Sequence, residues 1–129
     1  MLIPRFFSAI DGRAQLGAAD GQFLGLLSSK RDDPNSISNF SAIYGSYSGT
    51  NSMRNRTGLY GSEFGMYSPY NIFCLNPPVA FFKNKLILVV SRNPCIETNG
   101  LPVIDPDFLL GVYAQLGYLP RANACVTRS

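Results

Sequence analysis

Histidine occurs nowhere in the 129 residues, and that one absence closes several chemistries. A Ser-His-Asp triad, a Cys-His pair and any histidine-ligated zinc or haem site are excluded within this chain. Charge is scarce too: charged residues make up 15% of the chain, with a net charge of +3, where about a quarter is usual. A surface so poor in charge is apolar or uncharged-polar, which points to a partner. It also gives little field for holding phosphates, so nucleic acid is not an expected partner. No apolar run approaches the roughly 20 residues of a membrane span; the longest is Leu86 to Val90. The opening Met1-Leu2-Ile3-Pro4-Arg5-Phe6-Phe7 is short and broken by Pro4, unlike a secretory signal. The expected location is cytoplasmic, or extracellular if the sequence is a mature form.

Cysteine is sparse and odd in number. Cys74, Cys95 and Cys125 lie too far apart for a zinc ribbon or a redox Cys-x-x-Cys motif. Free buried thiols are the expectation, with one disulfide and a spare thiol as the rival. Among the acids, Asp20 suits a turn, Asp105 a helix cap and Asp32-Asp33 a charged loop, and no spacing argues for the paired carboxylates of glycoside hydrolysis. There is no phosphate-binding glycine motif after a strand and no Walker-type Gly-Lys-Ser or Gly-Lys-Thr. The sequence assigns no catalytic residue, metal ligand or cofactor, and the chain reads as non-enzymatic.

What is present is internal similarity. Shifted on itself by sixteen residues, the stretch Ser36 to Pro78 superposes Ser36, Ser52 and Ser68, then Asn39, Asn55 and Asn71, then Ile43, Leu59 and Leu75. Tyr-Gly-Ser follows at 44–46 and 60–62, and Asn76-Pro77-Pro78 stands at the third place. A fixed period means one small unit used repeatedly. Gly, Ser and Asn favour turns over helix interiors, so the unit reads as short extended pieces joined by turns. The Ile43, Leu59 and Leu75 row is expected to be the buried anchor. The asparagine row is expected to bond to neighbouring backbone or, on the functional reading, to a ligand. About two and a half copies are too few to bury a core, so the array must lean on other elements.

Those elements follow from the flanks, all within one domain spanning residues 1–129, 46% apolar. Residues 1–12 form an apolar arm whose Phe6 and Phe7 pack on the chain's own core or on another protein. Residues 13–29 read as a hairpin turning at Ala19-Asp20-Gly21. Lys30 to Pro34 is a charged, solvated loop. Residues 79–91 read as a second hairpin through Lys83-Asn84-Lys85, with Leu86 to Val90 a central strand covered on both faces. Residues 105–117 read as the only convincing helix, with Asp105 as cap, Pro106 in the first turn, Phe108, Leu109, Val112, Tyr113 and Leu116 on one face, and Gly117 as its stop. Residues 118–129 form a loose or docking tail. The expected fold is α+β, with two β-hairpins forming an antiparallel sheet, a turn-rich array and one C-terminal helix.

Binding is expected on the array's aromatics and cations: Tyr44, Tyr47, Tyr60, Tyr67 and Tyr70 supply planar area, and Arg54 and Arg56 sit among them. Ser-apolar-x-Asn with Tyr-Gly-Ser, repeated, ending in Asn-Pro-Pro and preceded by Phe-Leu-Gly-x-Leu, resembles a group of small uncharacterised bacterial proteins, cyanobacterial ones included. The matching parts are Gly21 to Leu27, Ser36 to Pro78, Leu86 to Asn93 and, more weakly, Ile104 to Leu110, in the same order. The resemblance implies a fold and carries no activity; Arg56 and Glu63 depart from the shared pattern. The expected function is a protein-interaction or assembly module, an accessory subunit of a larger complex. A cell-surface or glycan-binding module using the tyrosines is the alternative.

Overall fold

The computed structural model describes residues 4–118. A five-residue helix α1 (Arg5–Ala9) opens the chain, followed by β1 (Ala14–Gly17) and β2 (Phe23–Leu27). After the turn segment come β3 (Val79–Phe82), β4 (Lys85–Val90), β5 (Val103–Ile104) and helix α2 (Pro106–Tyr118). The fold is α+β, one five-stranded sheet in the order β2-β1-β3-β4-β5. A sheet made of two hairpins is therefore corrected. The antiparallel pairs β1/β2 and β3/β4 meet at an antiparallel β1/β3 contact, and β5 adds on parallel to β4. Two residues are too few to show an alternating pattern, so β5 left no mark in the sequence.

The core lies between the sheet, α2 and the near side of the turn segment, and contains Leu16, Leu24, Leu27, Ile37, Met53, Leu88, Leu109 and Tyr113. The arm belongs to it. Phe7 and Ile10 are buried, Phe7 meets Phe108 and Tyr113 edge-on at 5.9 and 6.2 Å, and the Tyr113 hydroxyl donates to the Phe7 carbonyl at 2.9 Å. Phe6 is half exposed, while residues 1–3 lie outside the description. Of the arm's two expected destinations, Phe7 takes the chain's own core.

Asp105 caps α2 as the sequence implies: its Oδ2 accepts from the backbone N–H of Asp107 at 2.9 Å and of Phe108 at 3.2 Å. Asp105→Ala is expected to cost about 1–2 kcal/mol, measured as a lower midpoint in denaturant. Gly117 does not stop the helix, which continues through Tyr118. It serves a close approach instead, since a Cβ there would stand 2.7 Å from the Ser29 carbonyl oxygen. In β4 the buried residues are Leu88, Val89 and Val90, and Leu86 is exposed, so only the second half of that strand is covered. Cys74 and Cys95 are free cysteines, one buried and one exposed, and burial pushes the Cys74 thiol up from its ordinary value. Cys125 and most of the expected tail lie outside the described residues.

Residues 36–78 hold no helix or strand; they are a succession of turns. The amides of Ser36, Asn39, Ala42 and Gly45 each donate to the carbonyl three residues back, as do those of Ser52, Asn55, Gly58 and Gly61, and then Ser68, Asn71 and Cys74. The hydroxyls of Ser36, Ser52 and Ser68 accept the N–H two residues on. Asn39, Asn55 and Asn71 each donate Nδ2 to the carbonyl six residues back, at 3.0 Å. Each also accepts the N–H two residues on. These amides are spent on backbone, the structural use. The segment leans on the sheet edge, where Leu26 N–H donates to the Asn35 carbonyl at 2.7 Å and Ile37 N–H to that of Leu26 at 3.1 Å.

The apolar row is a correction. Ile43 is 53% exposed, Leu59 45% and Leu75 76%. The buried positions are Ile37, Met53 and Pro69, one place after each serine. Ile37 and Met53 face the core, and Tyr70 is covered by Arg56, Arg92 and Asp107 of α2, whereas Ile43, Leu59 and Leu75 lie on the open side.

Candidate functional site

Helix α2 and the turn segment meet along an open groove of about 280 Å³ whose walls include Tyr47, Arg54, Arg56 and Tyr70 on one side and Asp107, Leu110, Gly111 and Ala114 on the other. Four of the residues singled out in the sequence thus come together. Arg54 follows core-anchored Met53, and its N–H donates to the Ser52 hydroxyl at 3.1 Å. Its guanidinium lies 4.5 Å from the Phe40 ring centroid, and its Nε donates to the Ile37 carbonyl at 3.3 Å. Among the described residues its Nη2 is the buried side-chain nitrogen without a hydrogen-bond partner. Burial pulls the Arg54 pKa below its ordinary value, against the opposing pull of nearby tyrosines.

Tyr70 forms the end wall. Only 5% exposed, it sits with Arg56 at 4.2 Å and Arg92 at 4.9 Å from its ring centroid. Its hydroxyl donates to Asp107 Oδ1 at 2.7 Å. Arg92 clamps the helix start: Nε donates to Asp105 Oδ1 at 2.7 Å and Nη2 to Asp107 Oδ2 at 2.6 Å. Burial and the Asp107 hydrogen bond push the Tyr70 hydroxyl well above the ordinary tyrosine value. Burial alone would raise the Asp105 carboxyl, but the Arg92 hydrogen bond and the cap amides outweigh it and leave it below the usual range. Glu63 stands 4.0 Å from Arg56, both largely exposed, a separation at which an ion pair contributes little.

Beyond Tyr70 opens a second hollow, about 480 Å³, whose lining includes Phe64, Ile72 and Phe73 with Glu63, Asn71 and Arg92 at its edge. Phe64 is 90% and Phe73 80% exposed.

The other expected site residues are placed elsewhere. Tyr44 packs edge-on against Phe23 at 4.9 Å, and Tyr60 is buried with its hydroxyl donating to Asp20 Oδ2 at 2.7 Å. Tyr67 stacks on Tyr60 at 6.4 Å. Tyr47 is exposed and stacked on Phe40 at 5.9 Å. The tyrosines therefore do not share one face. Arg92, Asp107 and Gly111 escaped the sequence reading. The available signal was the interruption of the α2 stripe by Gly111 and Ala114, which fall with Asp107 on one side of a helix.

Among the described residues there is no group of His, Cys, Asp or Glu suited to a metal ion, and no helix long and apolar enough to cross a membrane. No family model, no curated protein and no solved structure matches this chain.

Proposed function

We propose that this protein is a non-enzymatic interaction module, an accessory subunit that docks on another protein through the outer face of a sixteen-residue repeat array. The observation that carries this reading is the row Ile43, Leu59 and Leu75, at equivalent repeat positions and each about half exposed or more. A single exposed apolar residue needs no explanation, whereas exposed apolar residues recurring at one repeat position support an interaction surface. Burying such a row yields roughly 25 cal/mol per Å² of apolar surface removed from water. The resemblance to small bacterial repeat proteins belongs to the same reading. On the glycan alternative, Tyr47 beside Arg54 and Arg56 is the supporting feature, since Tyr44 and Tyr60 are committed to internal packing.

The test is gentle capture of the tagged protein with its natural partners, quantified for the wild type and for Leu59→Ser combined with Leu75→Ser. Exposed positions of this kind shift stability by only about 0.5 kcal/mol, so loss of binding would not reflect unfolding. We expect a near-stoichiometric partner whose yield falls at least about ten-fold in the double variant. Equal capture by both would remove the row from the interface. Tyrosine fluorescence that moves with a polysaccharide, with no protein captured, would favour the glycan alternative.

A further inference from the structure

We propose that the Arg54–Arg56 groove and the hollow beyond Tyr70 form one docking site for an acidic-apolar peptide segment of the partner protein. Its Asp or Glu carboxylate enters beside the two guanidiniums, and a neighbouring apolar side chain rests on Phe64, Ile72 and Phe73. The inference rests on the interaction reading above and specifies the chemistry of the partner.

Arg54 lies on the lining of the groove. Among the described residues Arg54 Nη2 is buried without a hydrogen-bond partner, and an unmet buried donor is costly until an acceptor reaches it. Asp107 makes no hydrogen bond to it, its oxygens accepting instead from Tyr70 and Arg92. Arg56 adds a second guanidinium on the same lining, bound only loosely to Glu63 at 4.0 Å. The fork of a guanidinium matches the two oxygens of a carboxylate, and a second cation on the same lining adds to the attraction. Asp107 on the lining of this groove and Glu63 beside Arg56 disfavour a doubly charged phosphate more than a singly charged carboxylate.

The second hollow selects the rest of the ligand. Its lining includes Phe64, Ile72 and Phe73, and of the polar groups beside them Asn71, Tyr70 and Arg92 are already engaged, which leaves Glu63. Asn71 donates to the Gly65 carbonyl and accepts from Phe73 N–H, and the Tyr70 hydroxyl is given to Asp107. An apolar side chain asks for no hydrogen bonds and fits this surface. Tyr70 lines both spaces, so one short segment can occupy them together. On the helix side, Gly111 has nothing within 4 Å of where a Cβ would stand, which keeps the groove open.

The experiment uses the full chain labelled with nitrogen-15. It follows the Arg54 and Arg56 Nε–H signals and the amides of Phe64, Phe73 and Gly111 by NMR during titration with short acetylated peptides. Each peptide carries one Glu and one Leu at varied spacing, and each has a control with Gln for Glu. Oligogalacturonate and inorganic phosphate serve as the other anions. We expect a Glu peptide to shift both sets of signals together, with its Gln control binding about ten-fold more weakly. Arg56→Gln should weaken binding by a similar factor, and Glu63→Gln should strengthen it by removing the competing carboxylate. Arg56 and Glu63 are exposed, so neither variant threatens the fold.

Equal binding of Glu and Gln peptides, no shift with any peptide, or shifts with oligogalacturonate or phosphate alone would each overturn the proposal. Partner capture that depends on Leu59 and Leu75 but ignores Arg56→Gln would remove the acidic anchor and leave the interaction reading standing. Capture indifferent to all three positions would remove both.

Discussion

Gly61→Ala is expected to prevent stable folding or to cost about 4 kcal/mol or more, beyond the usual range for a single methyl group. The turn segment winds so closely that a Cβ on Gly61 would overlap the Asn55 carbonyl oxygen and stand 2.6 Å from that of Met53. Gly45 is in the same position sixteen residues earlier, against the carbonyls of Asn39 and Ile37. The obstacle in both places is backbone, which cannot turn aside as a side chain can. Those carbonyls are held within the turn array, where Gly58 N–H donates to the Asn55 oxygen at 3.1 Å, so moving them loosens consecutive turns. The cost is therefore larger than the 1–3 kcal/mol typical of overpacking in a core. The matched control is Gly111→Ala, where a Cβ meets nothing within 4 Å and helix propensity should add up to about 1 kcal/mol of stability. Denaturant midpoints of the two variants, compared with wild type, decide the matter. A Gly61→Ala protein as stable as wild type would mean that the turns are not wound this tightly.

These glycines also show why the chain was only partly legible. Asp105-Pro106 announced the helix because a cap acts within three residues and needs no tertiary information. The turns were legible from their Gly, Ser and Asn content, but which side of them faces the sheet was not. Burial there depends on the meeting of Ile37 and Met53 with distant strands, so the row with the clearest apolar identity, Ile43, Leu59 and Leu75, was assigned to the wrong side. Turn chemistry misled in a similar way. Asp20-Gly21 carried the stronger hairpin signal, yet of that pair only Gly21 has a positive φ, +93°. Both residues of the second turn, Lys83 and Asn84, have positive φ, 53° and 64°, with no glycine to mark them. The candidate groove was half visible. Arg54, Arg56, Tyr47 and Tyr70 stood out by residue type within one stretch. Arg92 and Asp107 did not, because they meet across the junction of two elements fifteen residues apart.

Stability should fall steeply above about pH 10, and tyrosine is the cause. Tyr60 is pushed up to about 12, first by donating its hydrogen bond to Asp20 and then by burial. Tyr70 is raised by burial and by Asp107, and Tyr113 by burial and the charge of Asp11. Each folded pKa therefore lies above the unfolded value of about 10. The neutral hydroxyl is the form that the folded state holds, so this stabilisation is fully present below about pH 10 and is lost as pH rises toward the folded values. Linkage sets the slope at about 1.4 kcal/mol per pH unit for each such tyrosine. The combined slope of Tyr60, Tyr70 and Tyr113 is about 4 kcal/mol per unit. That consumes much of the 5–15 kcal/mol by which a domain is ordinarily stable before about pH 12. Tyr113→Phe separates the two roles of its hydroxyl. At neutral pH the variant should lose about 1 kcal/mol with the bond to the Phe7 carbonyl, but its decline above about pH 10 should be shallower by about a third. The measurement is the denaturant midpoint of both proteins across the alkaline range. Curves that cross or converge carry the assignment, whereas parallel curves would show that Tyr113 ionises as freely folded as unfolded and that the alkaline limit has another origin.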